Sequence, residues 1–371
     1  MKIGIITLPT RTNYGGILQA YALSLVLRRM GHDVQHIYTP VKWRINYIKY
    51  PYIIFKRIIK NILRKQHNKI FLEFYLNKTY PRVSKYTQKF IDINIPYIEI
   101  KSFTDIKEKD FDTFIVGSDQ VWRPLYFHNI EQAFLKFAEN WNVKRIAYAV
   151  SFGTDKWEYT HAQTKECKRL INLFDIVSVR EASAIKLCNE QFETVAQHVL
   201  DPTLLLTAED YISLFRTTNV PKSKGTLLNY ILDETKEKET IINDIAKQKK
   251  LIPFRVNSKI ENLQAPISER IQPPVEQWLR GFYDAEFVIT DSFHACVFSI
   301  IFNKPFIVIG NNERGMARFH SLLSMFKLEK CLLLPTNKAT INDISIDWNF
   351  VNKKRDEMIR KSLNILTFTF Q

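Results

Sequence analysis

Two doubly wound, Rossmann-like α/β units facing each other across a cleft are what this sequence predicts, and three observations predict them. The chain has 371 residues, too many for one ordinary domain and right for two of about 100–200 residues each. Short runs rich in Val, Ile and Phe alternate with helical patterns along its length, which is βαβ organisation. A polar stretch, Val220-Pro221-Lys222-Ser223-Lys224-Gly225, interrupts the alternation before a fresh strand begins.

The predicted strands of the first half are Lys2–Thr7, Val34–Tyr38, Phe111–Val116, Arg145–Val150 and Ile176–Val179. Those of the second are Thr226–Ile231, Ile252–Val256, Phe287–Thr290, Pro305–Ile309 and Cys331–Leu334. Because these runs lack polar alternation, they read as parallel strands covered on both faces. Helical spacing fills gaps between them over Gly16–Met30, Lys165–Leu173, Glu237–Lys250 and Ala295–Phe302. The expected division is a first unit over residues 1–210, a second over 225–345, and a C-terminal helix over 346–371 able to cross back onto the first. In such sheets ligands sit outside the carboxyl ends of the strands, so those ends are where chemistry is sought.

With 46% apolar and 25% charged residues, the composition is that of a folded globular protein, not of a disordered one. No apolar run approaches the ~20 residues that span a bilayer. The sequence opens on a strand, without a charged head and apolar core, so a cytoplasmic protein is expected. Cys167, Cys188, Cys296 and Cys331 are far apart and read as reduced, buried thiols, not as a metal or disulfide set. The formal charge of +15 suits polyanions, acidic lipid or phosphorylated substrates. No zinc-finger, RNA-recognition or helix-turn-helix pattern accompanies it, so nucleic acid is not expected.

Part of that charge is concentrated. From Lys42 to Lys69 there are nine basic residues and no acid, interleaved with Trp43, Tyr47, Tyr50, Tyr52 and Phe55. Phe55, Ile58, Ile59, Ile62 and Leu63 keep helical spacing, while Lys56, Lys60 and Arg64 recur on another face. Such a helix either lies on an anionic membrane surface or packs on the core with a solvated basic face.

Along the first unit, Asn13-Tyr14-Gly15-Gly16 stands between strand and helix. Paired glycines there admit a ligand to backbone N–H groups and the positive helix end, favouring an anion or a sugar; a plain capping turn has the same composition. The pattern is not GxGxxG, and no acid ends the second strand suitably, so no dinucleotide is expected. The run ending at Val116 leads into Gly117-Ser118-Asp119-Gln120-Val121-Trp122. Asp119 is placed to take a hydrogen bond or proton from a sugar hydroxyl, or to cap the next helix; Trp122 has a flat face for a sugar ring. Ser151 ends another strand among small residues suited to a cleft. Arg180, closing Ile176–Val179, offers a bidentate fork to carboxylate or phosphate, or forms a surface pair with Glu181.

In the second unit, the strand Phe287–Thr290 delivers Asp291, Ser292 and His294 together as a helix starts. A histidine there can serve a phosphate or move a proton, with Asp291 orienting it or capping the helix. After the next strand, a polar loop carries Arg314 and Arg318, a pair able to clamp a dianionic phosphate.

The segments IGIITLPTRTNYGGILQAYAL, FDTFIVGSDQVW, RIAYAVSFG, FDIVSVRE, VLDPTLLL, FVITDSFHACVFSIIFNKPFIVI and RGMARFHSLL, in that order, resemble the polysaccharide pyruvyl transferase family. The resemblance implies a GT-B-like pair of domains, phosphoenolpyruvate as donor, and no metal or organic cofactor. It implies as acceptor a hexose of a capsule, exopolysaccharide or wall polymer; the basic helix around Lys56–Lys65 adds a polyprenyl-diphosphate-linked form of that acceptor as an expectation. It associates Arg180 and His294 with phosphoenolpyruvate. Some members carry an arginine two residues before that histidine, where this chain has Ser292; that anion contact is then either missing here or supplied by Arg314 or Arg318. With the residue readings above, His294 and Asp119 become the expected catalytic groups. Arg180, Arg314, Arg318, Ser292, Asp291, Asn13, Tyr14, Gly15, Gly16, Gly117, Ser118, Gln120 and Ser151 become expected substrate contacts. The alternatives are a nucleotide-sugar glycosyltransferase of the same fold and a non-catalytic scaffold of a polysaccharide assembly complex.

Overall fold

The computed structural model describes residues 1–40, 42–43, 45, 47–63, 69–310, 315–333 and 344–370. Its first sheet is formed by β1 (Lys2–Ile6), β2 (Asp33–Tyr38), β3 (Tyr97–Glu99), β4 (Thr113–Val116), β5 (Lys144–Val150), β6 (Ile176–Val179) and β7 (Gln197–His198). The second has β8 (Leu227–Tyr230), β9 (Pro253–Phe254), β10 (Phe287–Thr290), β11 (Phe306–Ile309) and β12 (Leu332–Leu333). The strand orders are β3-β2-β1-β4-β5-β6-β7 and β12-β11-β10-β8-β9, and the pairings are parallel. Ile3, Ile5, Phe114, Ile115 and Val116 are fully buried, which is why their runs carry no polar alternation. The sequence expects every strand except β3 and β7. β9 and β12 are equally short edges but sit in apolar runs, whereas Tyr97-Ile98-Glu99 and Gln197-His198 are broken by polar residues.

In each sheet the chain reverses direction of growth at one point, between β1 and β4 in the first and between β8 and β10 in the second. The loops leaving those neighbouring strands diverge and open a crevice at the carboxyl end of the sheet. The apolar floor beneath the two sheets is shared. One buried cluster joins Tyr14, Ile17 and Leu18 of the first half with Trp278, Phe293 and Phe298 of the second. Tyr14 stacks on Trp278 at 5.4 Å, and its hydroxyl donates to Pro273 O at 2.8 Å.

The C-terminal helix Trp348–Phe370 packs on the segment that follows β7. Ser362 Oγ accepts from Leu200 N–H at 3.0 Å, and Arg355 donates to Leu206 O at 2.8 Å and Leu204 O at 3.4 Å. The four cysteines are buried and free; burial pushes the thiols of Cys188 and Cys331 up to about 12.

The basic segment forms the helix Tyr50–Leu63, but not packed on the core by its apolar stripe. Phe55, Ile58, Ile59, Ile62 and Leu63 are exposed, and Tyr50 is the helix's one buried residue. Arg57, on the other side, is held by Glu73. Arg44, Arg64 and Lys65 lie outside the described residues.

Candidate active site

The loop after β4 turns sharply. Gly117 has φ +138°, and a Cβ there would stand 2.0 Å from Tyr148 O, so no other residue fits. Asp119 follows at φ 65°, a left-handed conformation that Asp tolerates better than most. The loop is fixed from all sides: Ser118 N–H donates to Gln19 Oε1 at 3.1 Å, Thr7 Oγ1 to Ser118 O at 3.2 Å, and Ser118 Oγ to Ala149 O at 3.0 Å.

That turn aims the Asp119 carboxylate at Arg180, which leaves the end of β6. Arg180 Nη2 donates to Asp119 Oδ1 at 3.3 Å and Nη1 to Asp201 Oδ2 at 2.6 Å. The Arg180 side chain is 1% exposed, so this is a buried charge held by two carboxylates. Asp201 is also bound by Thr203 N–H at 3.0 Å and Thr203 Oγ1 at 2.6 Å. From the other half, His294 brings Nε2 to 3.7 Å from Asp201 Oδ2. Arg180 and His294, far apart in sequence, therefore meet at one carboxylate between the two sheets.

Burial alone would raise both aspartate pKa values; the positive charges around them prevail. Asp201 is held far below the usual carboxylate range chiefly by His294 and Arg180, and Asp119 is lowered by Arg180, His294 and Arg318. For Arg180, burial opposes the charge, but Asp201 and Asp119 raise its pKa.

Arg318 completes the cluster from the helix Ala317–Met325. Its guanidinium lies 5.6 Å from the Phe293 ring, which Arg180 faces at 4.6 Å, both in cation–π range. His294 meets the same ring edge-on at 5.3 Å. Burial, then the like charge of Arg180, pulls the Arg318 pKa down to about 10. Glu181 lies behind: its Oε1 accepts from Ser151 Oγ and Phe152 N–H, each at 2.9 Å, and from Gly153 N–H at 3.2 Å. Burial raises its pKa despite Arg180.

A cavity of about 550 Å³ opens beside this cluster, lined by Thr7, Arg11, Asn13, Gly16, Asp119, Tyr126 and His128 among others. Asn13 Oδ1 accepts from Gly15 and Gly16 N–H at 3.0 and 3.4 Å, capping the first helix. Gly16 stands next to the acid, its Cβ position 3.9 Å from Asp119 Oδ2, an ordinary contact distance. Gly15 touches His294, where a Cβ would fall 2.0 Å from Nδ1.

Several expected contacts lie elsewhere. Tyr14 is fully buried between the halves with its hydroxyl bonded to backbone, as described above, so it does not reach a ligand. Asp291 does not orient His294: it accepts from Leu232 N–H at 2.7 Å, Asp233 N–H at 3.1 Å and Lys238 Nζ at 2.7 Å, which ties down the loop after β8. Trp122 is buried and stacked on Phe134 at 4.5 Å, with Nε1 donating to Ala133 O. Ser151 serves Glu181, and Gln120 Oε1 packs at Gly153 and accepts from Arg123 at 3.3 Å. Ser292 precedes the helix Phe293–Ile301 without capping it by its side chain. Arg314 lies outside the described residues. Among the described residues no group of three or more His, Cys, Asp or Glu could hold a metal ion.

Sequence reasoning missed Asp201 and Glu181. Asp201 was legible as an acid inside the apolar run Val199–Leu206, where a buried charge needs a partner. Glu181 had no such signal, since Arg180-Glu181 reads equally well as a surface pair.

In overall fold the chain is similar to the UDP-GlcNAc 2-epimerase of Methanocaldococcus jannaschii, at 13% identity over 97% of this chain and 93% of that one, with a TM-score of 0.50. It also matches the UDP-GlcNAc 2-epimerase of Neisseria meningitidis bound to UDP-GlcNAc, at 10% identity over 100% and 99% of the two chains, with a TM-score of 0.48. At such identity the first of these likenesses shows the GT-B arrangement of two facing domains and nothing of the chemistry. No curated protein matches the chain in sequence. The family model described as "Polysaccharide pyruvyl transferase" matches residues 13–313, a span that runs from the cap of the first helix through Asp119, Arg180 and Asp201 to His294. This chain belongs to the polysaccharide pyruvyl transferase family.

Proposed function

We propose that the protein transfers a pyruvyl group from phosphoenolpyruvate to a hexose of a cell-surface polysaccharide, or of its lipid-linked precursor at the inner face of the plasma membrane, forming a cyclic ketal. One arrangement supports this most: Arg180, Arg318 and His294, from three distant segments, surround a single ring, Phe293. An anion entering there offsets the burial and like-charge repulsion that lower the Arg318 pKa. In this reading Arg318 and His294 take the donor's phosphate. Arg180 faces the donor's carboxylate while holding Asp119 and Asp201 ionised.

The acceptor hexose occupies the cavity on which Asp119 opens. Its first hydroxyl gives a proton to Asp119 as the oxygen bonds to C2 of the enol, and C3 takes a proton from His294 to become the methyl group. Asp119, with its lowered pKa, is a weak base and accepts only as the hydroxyl acidifies during bond formation. The C2–O bond to phosphate then breaks, the electron pair leaving with phosphate. A second hydroxyl bonds to C2 and returns a proton to His294, while the proton on Asp119 leaves with the phosphate. No metal or organic cofactor has a part in these steps.

Release of phosphate from phosphoenolpyruvate, measured with a panel of lipid-linked sugars, tests the reading. Acceptor-dependent release is expected, and loss of one positioned group is expected to lower it by ~10²–10⁴. Full activity in both His294→Ala and Arg180→Ala would show the assignment wrong. A thermal shift with UDP- or GDP-sugars and none with phosphoenolpyruvate would replace it with a glycosyltransferase.

A further inference from the structure

Of the 19 large hydrophobic side chains exposed among the described residues, ten lie between Tyr47 and Phe74. Soluble proteins ordinarily scatter such side chains singly. Here Tyr52, Phe55, Ile59 and Ile62 stand at i, i+3, i+7 and i+10 of the helix Tyr50–Leu63, a single stripe. They are exposed by 60%, 60%, 38% and 71%.

The opposite side of the helix is fastened down. Arg57 donates to the two oxygens of Glu73 at 2.8 and 2.7 Å, and Tyr50 donates to Glu73 at 3.1 Å. Ile53 and Ile54 are half-buried on that side. The helix is thus held to the protein by an ion pair and turns its apolar stripe to solvent, the reverse of an ordinary surface helix.

Charge identifies what the stripe meets. Lys56 and Lys60 are exposed beside it, Lys56 over the Tyr52 ring at 4.7 Å. No acid occurs between Lys42 and Lys69, against nine basic residues. Apolar side chains flanked by lysines fit an anionic bilayer interface, the former entering the acyl boundary and the latter meeting headgroup phosphates.

The helix is linked to the acceptor cavity through its neighbour Leu72–Val83, which holds Glu73. Arg11, in the cavity wall, lies over the Trp43 ring at 5.5 Å, and Trp43 packs edge-on against Tyr80 of the adjoining helix Leu72–Val83 at 5.4 Å. We infer that the helix Tyr50–Leu63 docks the protein on an anionic lipid bilayer, bringing the cavity mouth to a membrane-borne acceptor. The inference deepens the proposed function, but its test needs neither donor nor acceptor.

Full-length protein is floated with vesicles of phosphatidylglycerol and phosphatidylcholine in equal parts, and with vesicles of phosphatidylcholine alone. Binding to the anionic vesicles, weakened by salt, is expected. The double variant F55E/I62E should bind them at least about tenfold more weakly, and K56Q/K60Q should lose most of the preference for anionic lipid. Phosphate release with a soluble acceptor should be unchanged in F55E/I62E. The inference is overturned if the wild-type protein stays with the soluble fraction, if F55E/I62E floats equally well, or if neutral vesicles bind as strongly. Self-association in sedimentation, abolished by F55E/I62E and without vesicle binding, would assign the stripe to a second copy instead. Absence of phosphate release from the wild-type protein would strike the proposed reaction and leave the flotation result standing.

Discussion

Gly15 of the first half and His294 of the second are in contact, so close that a methyl group on Gly15 would lie 2.0 Å from His294 Nδ1. The first helix and the helix that carries the histidine therefore meet without any side chain between them. The imidazole is wedged between backbone on one side and Asp201 on the other.

Gly15→Ala is expected to displace that ring and not merely crowd it. Overpacking of this kind costs about 1–3 kcal/mol, which urea denaturation would read. A shift of about 1 Å at a reacting group costs on the order of 10² in rate. A variant with unchanged stability and unchanged phosphate release would show that the contact is slack.

Asp201→Asn leaves Arg180 buried with Asp119 as its remaining carboxylate. Breaking a buried pair typically costs about 3–5 kcal/mol, and a loss of that size is expected in the same denaturation experiment. Since Asp201 also faces His294, donor affinity should fall with it. A loss below about 1 kcal/mol would mean that Asp201 does not fasten the buried Arg180.

Arg318→Gln removes a phosphate contact in the proposed reaction. A charge-assisted hydrogen bond of about 1.5–3 kcal/mol corresponds to a KM for phosphoenolpyruvate raised by about 10–100-fold. The change in kcat should be smaller, with Arg318→Lys in between. An unchanged KM would remove Arg318 from the donor site.

The buried acids set opposite slopes of stability against pH. Asp119 and Asp201 are held below their ordinary value, so their contribution is present above the unfolded pKa of about 3.9 and is lost as pH falls through the folded values. Glu181 is raised, so its contribution is present at low pH and is lost as pH rises through its folded pKa. Stability is expected to peak at mildly acidic pH and to drop below about pH 4. Denaturant titrations across that range should show Asp201→Asn flattening the acid side and Glu181→Gln the neutral side.

The fold was legible because buried parallel strands leave continuous apolar runs, and ten such runs became strands. The edges β3 and β7 were not, because Tyr97-Ile98-Glu99 and Gln197-His198 carry polar residues and stand in no apolar run, unlike the equally short β9 and β12. At the site, position along the chain was legible and side-chain direction was not. Asp291 and His294 are three residues apart, yet one turns to Lys238 and the other to Asp201. Likewise Asp119 reaches the cavity, while Trp122, three residues on in the same turn, is buried in the core. Tyr14 looked like a loop residue beside a ligand because its acceptors, Pro273 O and Val256 O, come from the other half of the chain. Long-range partners of this kind leave no local trace.

A crystal structure with phosphoenolpyruvate bound would decide whether the Arg180–Arg318–His294 cluster is the donor site. Electron density for the donor is expected between Arg318 and His294, against Phe293, with its C2 turned toward Asp119 and the cavity. Donor density elsewhere, with that cluster unchanged, or a nucleotide-sugar filling the cleft where phosphoenolpyruvate does not bind, would contradict it.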